Sequence, residues 1–341
     1  MVGVTVRLSA VAARAGVSEA TVSRVLNGRP GVSPATREAV VAAMDALGVE
    51  RPLRLRERGA GLVGLIIPEL TNPIFPALAQ VIEQVLTSRG YIPVLCTQSP
   101  TGSAEDQLVE LLVDRGVTGI VFVSGLHSDT TAGTDRYVKL AGQGVPFVMV
   151  NGYTPKVSAP FVSADDRAAM RLAVSHLLAL GHEHIGLAIG PQRFVPAQRK
   201  KESFLSELTD APVQHSLFTV EGGQAAASAL LDRGCTAIVC GNDLMALGAV
   251  RAARARGLAV PADVSVVGYD DSPLIVFADP PLTTLRQPVE AMGQAAVNAL
   301  LEEIAGTPAP HVEYVFQPEL VVRGSTAART APEGRRMLRD R

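Results

Sequence analysis

The run Val11-Ala-Ala-Arg-Ala-Gly-Val-Ser-Glu-Ala-Thr-Val-Ser-Arg-Val-Leu-Asn27 holds two short helical patterns that meet at Gly16, Val17 and Ser18. Leu8, Val11, Ala12 and Ala15 recur at i, i+3, i+4 and i+7, which gives the first pattern one apolar face. Gly16 can take the positive φ that a tight stop needs. Ser18 follows as an N-cap, its hydroxyl free to accept an orphan backbone N–H. On the second pattern Val22, Val25 and Leu26 face inward, while Glu19, Ala20, Ser23, Arg24 and Asn27 face out. Two helices joined so tightly, the second displaying small polar side chains, describe a helix-turn-helix reader of DNA. Such a pattern standing alone could equally be an ordinary helical hairpin.

The next residues weigh against the hairpin. Gly28-Arg-Pro-Gly31 is a turn, and Ser33-Pro34 places an N-cap before proline at the first helical position. Residues 36–47 form a third amphipathic pattern, with Val40, Ala43, Met44 and Leu47 on its buried face. Three short helices make an all-α headpiece over residues 1–50.

The run from Ala15 to Asn27, followed by Val32-Ser-Pro-Ala-Thr-Arg-Glu38, resembles the headpiece of the lactose-repressor (LacI) family, and the likeness continues to about Gly324. It implies DNA contacts from Ser18, Glu19, Ala20, Thr21, Ser23, Arg24, Asn27, Ser33 and Thr36. It also implies a hinge over residues 51–61 that wedges leucines into the minor groove, for which Leu53 and Leu55 are the candidates. The segment is about three residues shorter than the family's usual pattern and carries Pro52, so Arg54 and its neighbouring arginines are expected to touch phosphates instead.

Charge and composition agree with a DNA-facing end. The whole chain has a net charge of −2, yet residues 1–60 hold nine arginines against five acids. Four of those arginines fall between Arg51 and Arg58, a local basic footprint. With 341 residues and 47% apolar side chains, the chain has room for a headpiece and a large two-lobed body. Cys96, Cys235 and Cys240 are an odd number of thiols inside apolar runs, which points to reduced cysteines in the cytoplasm. No apolar leader and no membrane-length run is present. His127, His176, His182, His184, His215 and His311 show no metal-binding spacing, and no metal or cofactor is expected.

From Leu62 onward, short apolar runs alternate with helical patterns. Residues 62–68, 92–96, 117–124 and 145–151 read as buried strands, and 184–190, a run near 217–220, 235–240 and 264–269 as a second series. Strands alternating with helices imply right-handed parallel winding, and two such series imply two doubly wound α/β lobes. This resembles the periplasmic-binding-protein-like (type I) body of the same family, in which the chain crosses between lobes three times. The resemblance places the crossings near 159–162, 283–288 and 317–320. The effector-binding body spans 62–325, with one lobe from 62–159 and 288–316 and the other from 163–283 and 320–325. Residues 326–341, small, polar and basic, read as a disordered tail.

Ligands in open α/β sheets bind outside the carboxyl ends of the strands. The polar and aromatic residues found just there are Asn72, Phe75, Ser124, Asn151, Asp166, Phe194, Asn242, Asp270 and, on the last crossover, Gln287. Taken singly, Asn72 reads as a turn and Asp166 and Asn242 as helix caps; together they suit a ligand with several hydroxyls. Asp166, Asn242 and Asp270 are effector contacts by resemblance, on the runs Val266-Val-Gly-Tyr-Asp-Asp271 and Gly241-Asn-Asp-Leu-Met-Ala-Leu-Gly248. Two departures stand out. Gln198 occupies a position where the family often has arginine, and Arg199, one place along, either takes that role or points elsewhere. The run Val220-Glu-Gly-Gly-Gln-Ala226 is short and lacks a covering aromatic.

The expectation is a repressor-like, ligand-gated regulator of transcription, whose effector is a sugar or polyol first and a nucleobase second. A solute-binding protein shares the body but not the headpiece. An enzyme is disfavoured by the lack of a dinucleotide fingerprint, a Walker loop or a Gly-x-Ser-x-Gly elbow. Two-fold symmetry suits a palindromic operator, so a homodimer is expected, with residues 76–89 and 105–115 resembling the family's dimer face. The tail lacks the leucine heptad that a tetramer of this family uses.

Within the headpiece, Glu19 can accept from cytosine N4, Ala20 can meet a thymine methyl, and Arg24 can fork onto guanine. Arg24→Ala is expected to cost roughly 1–3 kcal/mol on the specific site and to relax base preference. Competition between specific and scrambled duplexes measures it; equal loss on both contradicts the assignment.

Overall fold

The computed structural model describes residues 8–26, 32–47, 49, 61–98, 104–308 and 310–329, and the chain divides into two compact units. The first is helical. α1 (Leu8–Ala15), α2 (Glu19–Leu26) and α3 (Pro34–Ala46) enclose Val11, Ala12, Val22, Val25, Val40, Ala43 and Met44. Gly16 sits at φ 65° between α1 and α2. The Ser18 hydroxyl accepts the Thr21 amide at 3.2 Å and so caps α2, while Ser33 does the same for Thr36 ahead of α3. Leu8, expected on the buried face of α1, is 42% exposed. It occupies the first position of its helix, where the core formed with α2 and α3 has not yet begun. The proposed hinge, with Leu53, Arg54 and Leu55, and Asn27 lie outside the described residues.

The second unit is the α/β body. In chain order its strands are β1 (Gly61–Ile67), β2 (Tyr91–Thr97), β3 (Gly119–Val123), β4 (Phe147–Val150) and β5 (Phe161–Ala164). They are followed by β6 (Ile185–Ile189), β7 (Val213–His215), β8 (Ala237–Cys240), β9 (Ser265–Asp270) and β10 (Thr283–Arg286). β11 (Glu313–Phe316) and β12 (Glu319–Val321) close the series. One sheet has the order β11-β5-β4-β3-β1-β2 and the other β12-β10-β9-β8-β6-β7. Each therefore begins second, first, third, fourth, fifth, the order of a flavodoxin-like doubly wound sheet. Neighbouring β1 and β3 pair in parallel, as do β6 and β8, while β12 runs antiparallel to β10.

The intervening helices are α4 (Ile74–Ser88), α5 (Glu105–Asp114), α6 (Asp135–Gly142), α7 (Asp166–Ala179), α8 (Val195–Glu207), α9 (Val220–Asp232), α10 (Asp243–Ala255) and α11 (Val289–Ala305). The central strands are buried on both faces and read as continuous apolar runs, as expected where helices cover a parallel sheet. Among the described residues no helix is long and apolar enough to cross a membrane.

Several boundaries differ from the sequence reading. The first crossing between sheets comes after Ala164 and not at 159–162, because Phe161–Ala164 completes the first sheet by pairing with β4 and with β11. The second crossing follows Arg286, and the third is the two-residue link between Phe316 and Glu319. The second strand of the second sheet is Val213–His215 and not the run near 217–220. That run instead leads into α9, where the Thr219 hydroxyl accepts the Gly222 amide at 3.0 Å. The start of the tail is pinned as well: the Arg329 amide donates to the Leu180 carbonyl at 2.8 Å, and Thr326 bonds His176 at 3.0 Å. His182, only 3% exposed, bonds Thr236 and Ser265 and lies 3.2 Å from the Ala327 carbonyl. Residues 330–341 lie outside the described residues.

The glycines of the short run 220–226 have a packing role. A Cβ on Gly223 would overlap the backbone of Met245, and one on Gly248 would overlap the Val220 carbonyl, so α9 and α10 meet backbone to backbone. Neither neighbour is a flexible side-chain tip that could swing aside. Gly248→Ala is expected to destabilise the body by about 1–3 kcal/mol. Gly142→Ala, at the open end of α6 with nothing within 4 Å, should be neutral or stabilising by up to about 1 kcal/mol. Urea unfolding of both variants makes the comparison, and equal midpoints would refute it.

Candidate functional site

All strands of the two sheets but β12 run parallel, so their carboxyl ends gather where the chain crosses. A cavity of about 360 Å³ opens there. The first sheet brings Asn72, Phe75, Ser124 and Asn151 to it; the second brings Phe194, Asn242 and Asp270, and the crossings bring Asp166 and Gln287. Three of these residues hold left-handed backbone: Ser124 at φ 46°, Asn151 at 61° and Asp270 at 116°. Each ends a central strand, and the turn aims its side chain at the cleft instead of into the sheet. Such conformations cost free energy and persist only where the surrounding structure enforces them.

The capping roles are real for some of these residues and absent for others. Asn242 caps α10, its Oδ1 accepting the Met245 amide at 2.9 Å, while its Nδ2 reaches the Phe218 carbonyl at 3.4 Å. Asn72 accepts weakly from Ile74 at 3.4 Å at the start of α4. The cap of α7 is Asp165, which accepts the Ala168 amide at 2.8 Å. Asp166 is thereby left for the cleft, where Tyr269 Oη donates to it at 3.1 Å.

The cation that meets Asp166 is Lys200, not Arg199. Lys200 is 4% exposed, with Nζ 3.2 Å from Asp166 Oδ1 and 3.6 Å from the centre of the Tyr269 ring. Arg199 does not line the cavity; its guanidinium forks onto Glu313 at 2.6 and 2.9 Å. Gln198 donates to the Gln192 carbonyl at 2.8 Å and to the Thr130 hydroxyl at 3.3 Å. Consecutive residues on a helix point about 100° apart, so a reading one place out selects the wrong face.

A second ion pair closes the mouth, where Arg193 Nε lies 3.0 Å from Asp129 Oδ2. Asp270 accepts Gln287 Nε2 at 2.7 Å. Burial pushes its carboxyl well above the ordinary carboxylate range, and the charge of nearby Asp243 adds to the shift. Asp243 is itself raised by burial, although Thr284 and the Ser272 amide donate to it at 2.7 Å.

One wall rests on a carboxylate outside the cavity. Glu105, 1% exposed, accepts Gln98 Nε2 at 2.7 Å, the Leu126 amide at 2.9 Å and the Tyr137 hydroxyl. Burial raises its pKa. Gln98 and Leu126 both face the cavity. Ser128, Asp129, Ser163, Arg193, Phe218 and Tyr269 line it too, none of them singled out from sequence. Ser163 and Tyr269 lie inside apolar strands, and Phe218 lay in a run read as a strand. Lys200 was hidden in a charged helical run, whereas a phase for α8 anchored on buried Ala197 and Phe204 would have found it.

On the helical unit, Ser18, Glu19, Ala20 and Arg24 are exposed along α2, and Thr21 and Ser23 are half-buried. Ser33 is exposed and Thr36 half-buried at the start of α3.

Comparison with known proteins agrees with both units. Residues 7–49 match bacterial regulatory proteins, lacI family, and residues 174–326 match the periplasmic binding protein-like domain. The chain is 67% identical to the HTH-type transcriptional regulator MalR of Streptomyces coelicolor, over 97% of this chain and 99% of that one. A lac repressor dimer bound to operator and the anti-inducer ONPF superposes with a TM-score of 0.74 at 30% identity, covering 95% of this chain and 99% of that one. The transcriptional regulator CelR in complex with cellobiose gives 0.70 at 33% identity, over 94% and 99%. The chain belongs to the LacI family of bacterial regulatory proteins, DNA-binding regulators of transcription.

Proposed function

We propose that this regulator is a repressor, acting as a homodimer on a palindromic operator in the cytoplasm, and that an uncharged sugar or related polyol in the cleft controls its grip on DNA. The observation that carries the ligand class is the internal pairing of charge. Asp166 is matched by Lys200 and Asp129 by Arg193, so among the described residues each lining cation already has a carboxylate partner and none is spare to meet a phosphate or carboxylate. What remains is the carboxyls of Glu69 and Asp270, a set of amides and hydroxyls, and three phenyl rings, Phe75, Phe194 and Phe218, against which a sugar face can lie. The superposing CelR structure, which holds cellobiose, supports the same class. The α2 face, with Glu19, Ala20 and Arg24 outward, supports operator reading.

Ligand control needs a ligand that favours one of two conformations. A cleft built from two sheets supplies it, because a molecule touching both halves favours the form that brings them together. Calorimetry against neutral mono- and disaccharides, their phosphorylated forms and nucleosides tests the class. Binding confined to the neutral sugars is expected; a preference for phosphorylated sugars or nucleosides would reverse the reading. For the sugar that binds, Asp270→Ala is expected to lower affinity by roughly twofold to tenfold, the worth of one hydrogen bond to an uncharged carboxyl. Operator affinity should stay near wild type while the response to sugar is lost. Unchanged sugar affinity in the folded variant removes Asp270 from the site.

The raised Asp270 carboxyl also gives a pH signature. As pH rises through about 4, the unfolded chain releases this proton while the folded chain keeps it, so stability falls from there toward neutrality. Asp270→Asn has no proton to lose. Its melting temperature relative to wild type should therefore climb as pH rises above about 4. Parallel melting curves above that pH contradict the shift.

A further inference from the structure

The two halves of the cleft belong to different sheets, so its shape depends on whatever fixes one sheet against the other. Apart from the three crossings, two groups of contacts do so among the described residues, the Gln198–Thr130 bond belonging to the first. At the mouth, the Thr130 amide and hydroxyl each donate to the Arg193 carbonyl at 2.8 Å, beside the Asp129–Arg193 ion pair. Asp129 and Arg193 line the cavity, so this tie is part of the ligand site itself. The second tie is the fork of Arg199, on α8 of one lobe, onto Glu313, the first residue of β11 in the other. Neither residue lines the cavity.

Exposed ion pairs contribute little, but this one is bidentate and its side chains are only 16% and 15% exposed. Its place gives it leverage. β11 ends at Phe316, and Gln317 at the crossing donates to Asp165 at 2.9 Å, so the pivot is there. Glu313 lies three residues back along the strand, roughly 10 Å from the pivot. A rotation of about 20° displaces a group at that radius by about 3 Å, more than a hydrogen bond tolerates. The fork therefore forms at one angle between the lobes and breaks at another.

We infer that Arg199 and Glu313 are positioning residues, which set the angle between the two halves of the ligand site and hold the cleft closed even when it is empty; this rests on the reading of the cleft as the ligand site. Ligand contacts and angle are then separate properties, carried by different residues on the same helix: Lys200 faces the cavity, and Arg199 faces the opposite lobe.

The test needs no ligand, so it can fail while the sugar reading stands, and the reverse. Spin labels are placed on exposed Lys139 of α6 and exposed Arg251 of α10, in a chain with Cys96 replaced by serine. Labelled chain is diluted with unlabelled chain so that only intrachain distances are read. Wild type should give one narrow distance. Glu313→Gln and Arg199→Gln should each add a longer distance and raise the ratio of open to closed forms about tenfold, the loss expected of a charge-assisted bond. The exchange Arg199→Glu with Glu313→Arg should restore the narrow distance. Two single variants that melt as wild type and keep its distance distribution would overturn the proposal. So would a folded exchange variant as broad as the singles.

Discussion

A parallel strand cannot be followed at once by its neighbour; the chain must return over a face of the sheet before it pairs again. That constraint governs the whole body. It makes most crossovers carry a helix, the links from β4 to β5 and from β9 to β10 being the α-helix-free ones, buries the central strands on both faces, and brings the carboxyl ends of the parallel strands to one end of each sheet. Because the chain passes between sheets only at those ends, the two ends face each other, and the space between them is the cleft. The site is thus a consequence of winding before any side chain in it is chosen.

The side chains then have to solve a problem of charge. Asp166 and Lys200 are both almost wholly withdrawn from water, an arrangement that is costly unless the partners are close and further hydrogen bonds complete them. Lys200 answers by pairing with Asp166 and lying over the face of Tyr269, whose hydroxyl returns to the same carboxylate. Asp270 answers with a carboxyl that burial pushes well above the ordinary carboxylate range, which favours its neutral form. The described lining consequently offers no unpaired cation, and selectivity falls to carboxyls, directional amides, hydroxyls and ring faces.

What could be read in advance follows the same division. The headpiece was legible because its spacing, caps and small outward residues all agree, and the central strands were legible because burial on both faces leaves uninterrupted apolar runs. Residues at strand ends were legible because winding puts them in the cleft. The short strands beside the crossings were not: β5, β10 and β12 are too short to show a period and fell within segments read as connectors, and β11 was not picked out as a strand. Lys200 was obscured for a different reason. In the run Gln198-Arg-Lys-Lys201 every position is polar, so only buried Ala197 and Phe204 on either side define the helical phase.

The order in which the sheets are completed bears on synthesis. β11 and β12, the outermost strands of the two sheets, are separated by two residues near the carboxyl end, and both come after every other strand has been made. Until residues 313–321 have been made, β5 and β10 remain open edges with unpaired amides and carbonyls, apt to pair with another nascent chain. Folding that proceeds from the amino end as the chain emerges cannot finish either lobe ahead of the other. A stall or truncation ahead of Glu313 therefore leaves two incomplete sheets at once, and the natural unit of quality control is the whole body and not a lobe.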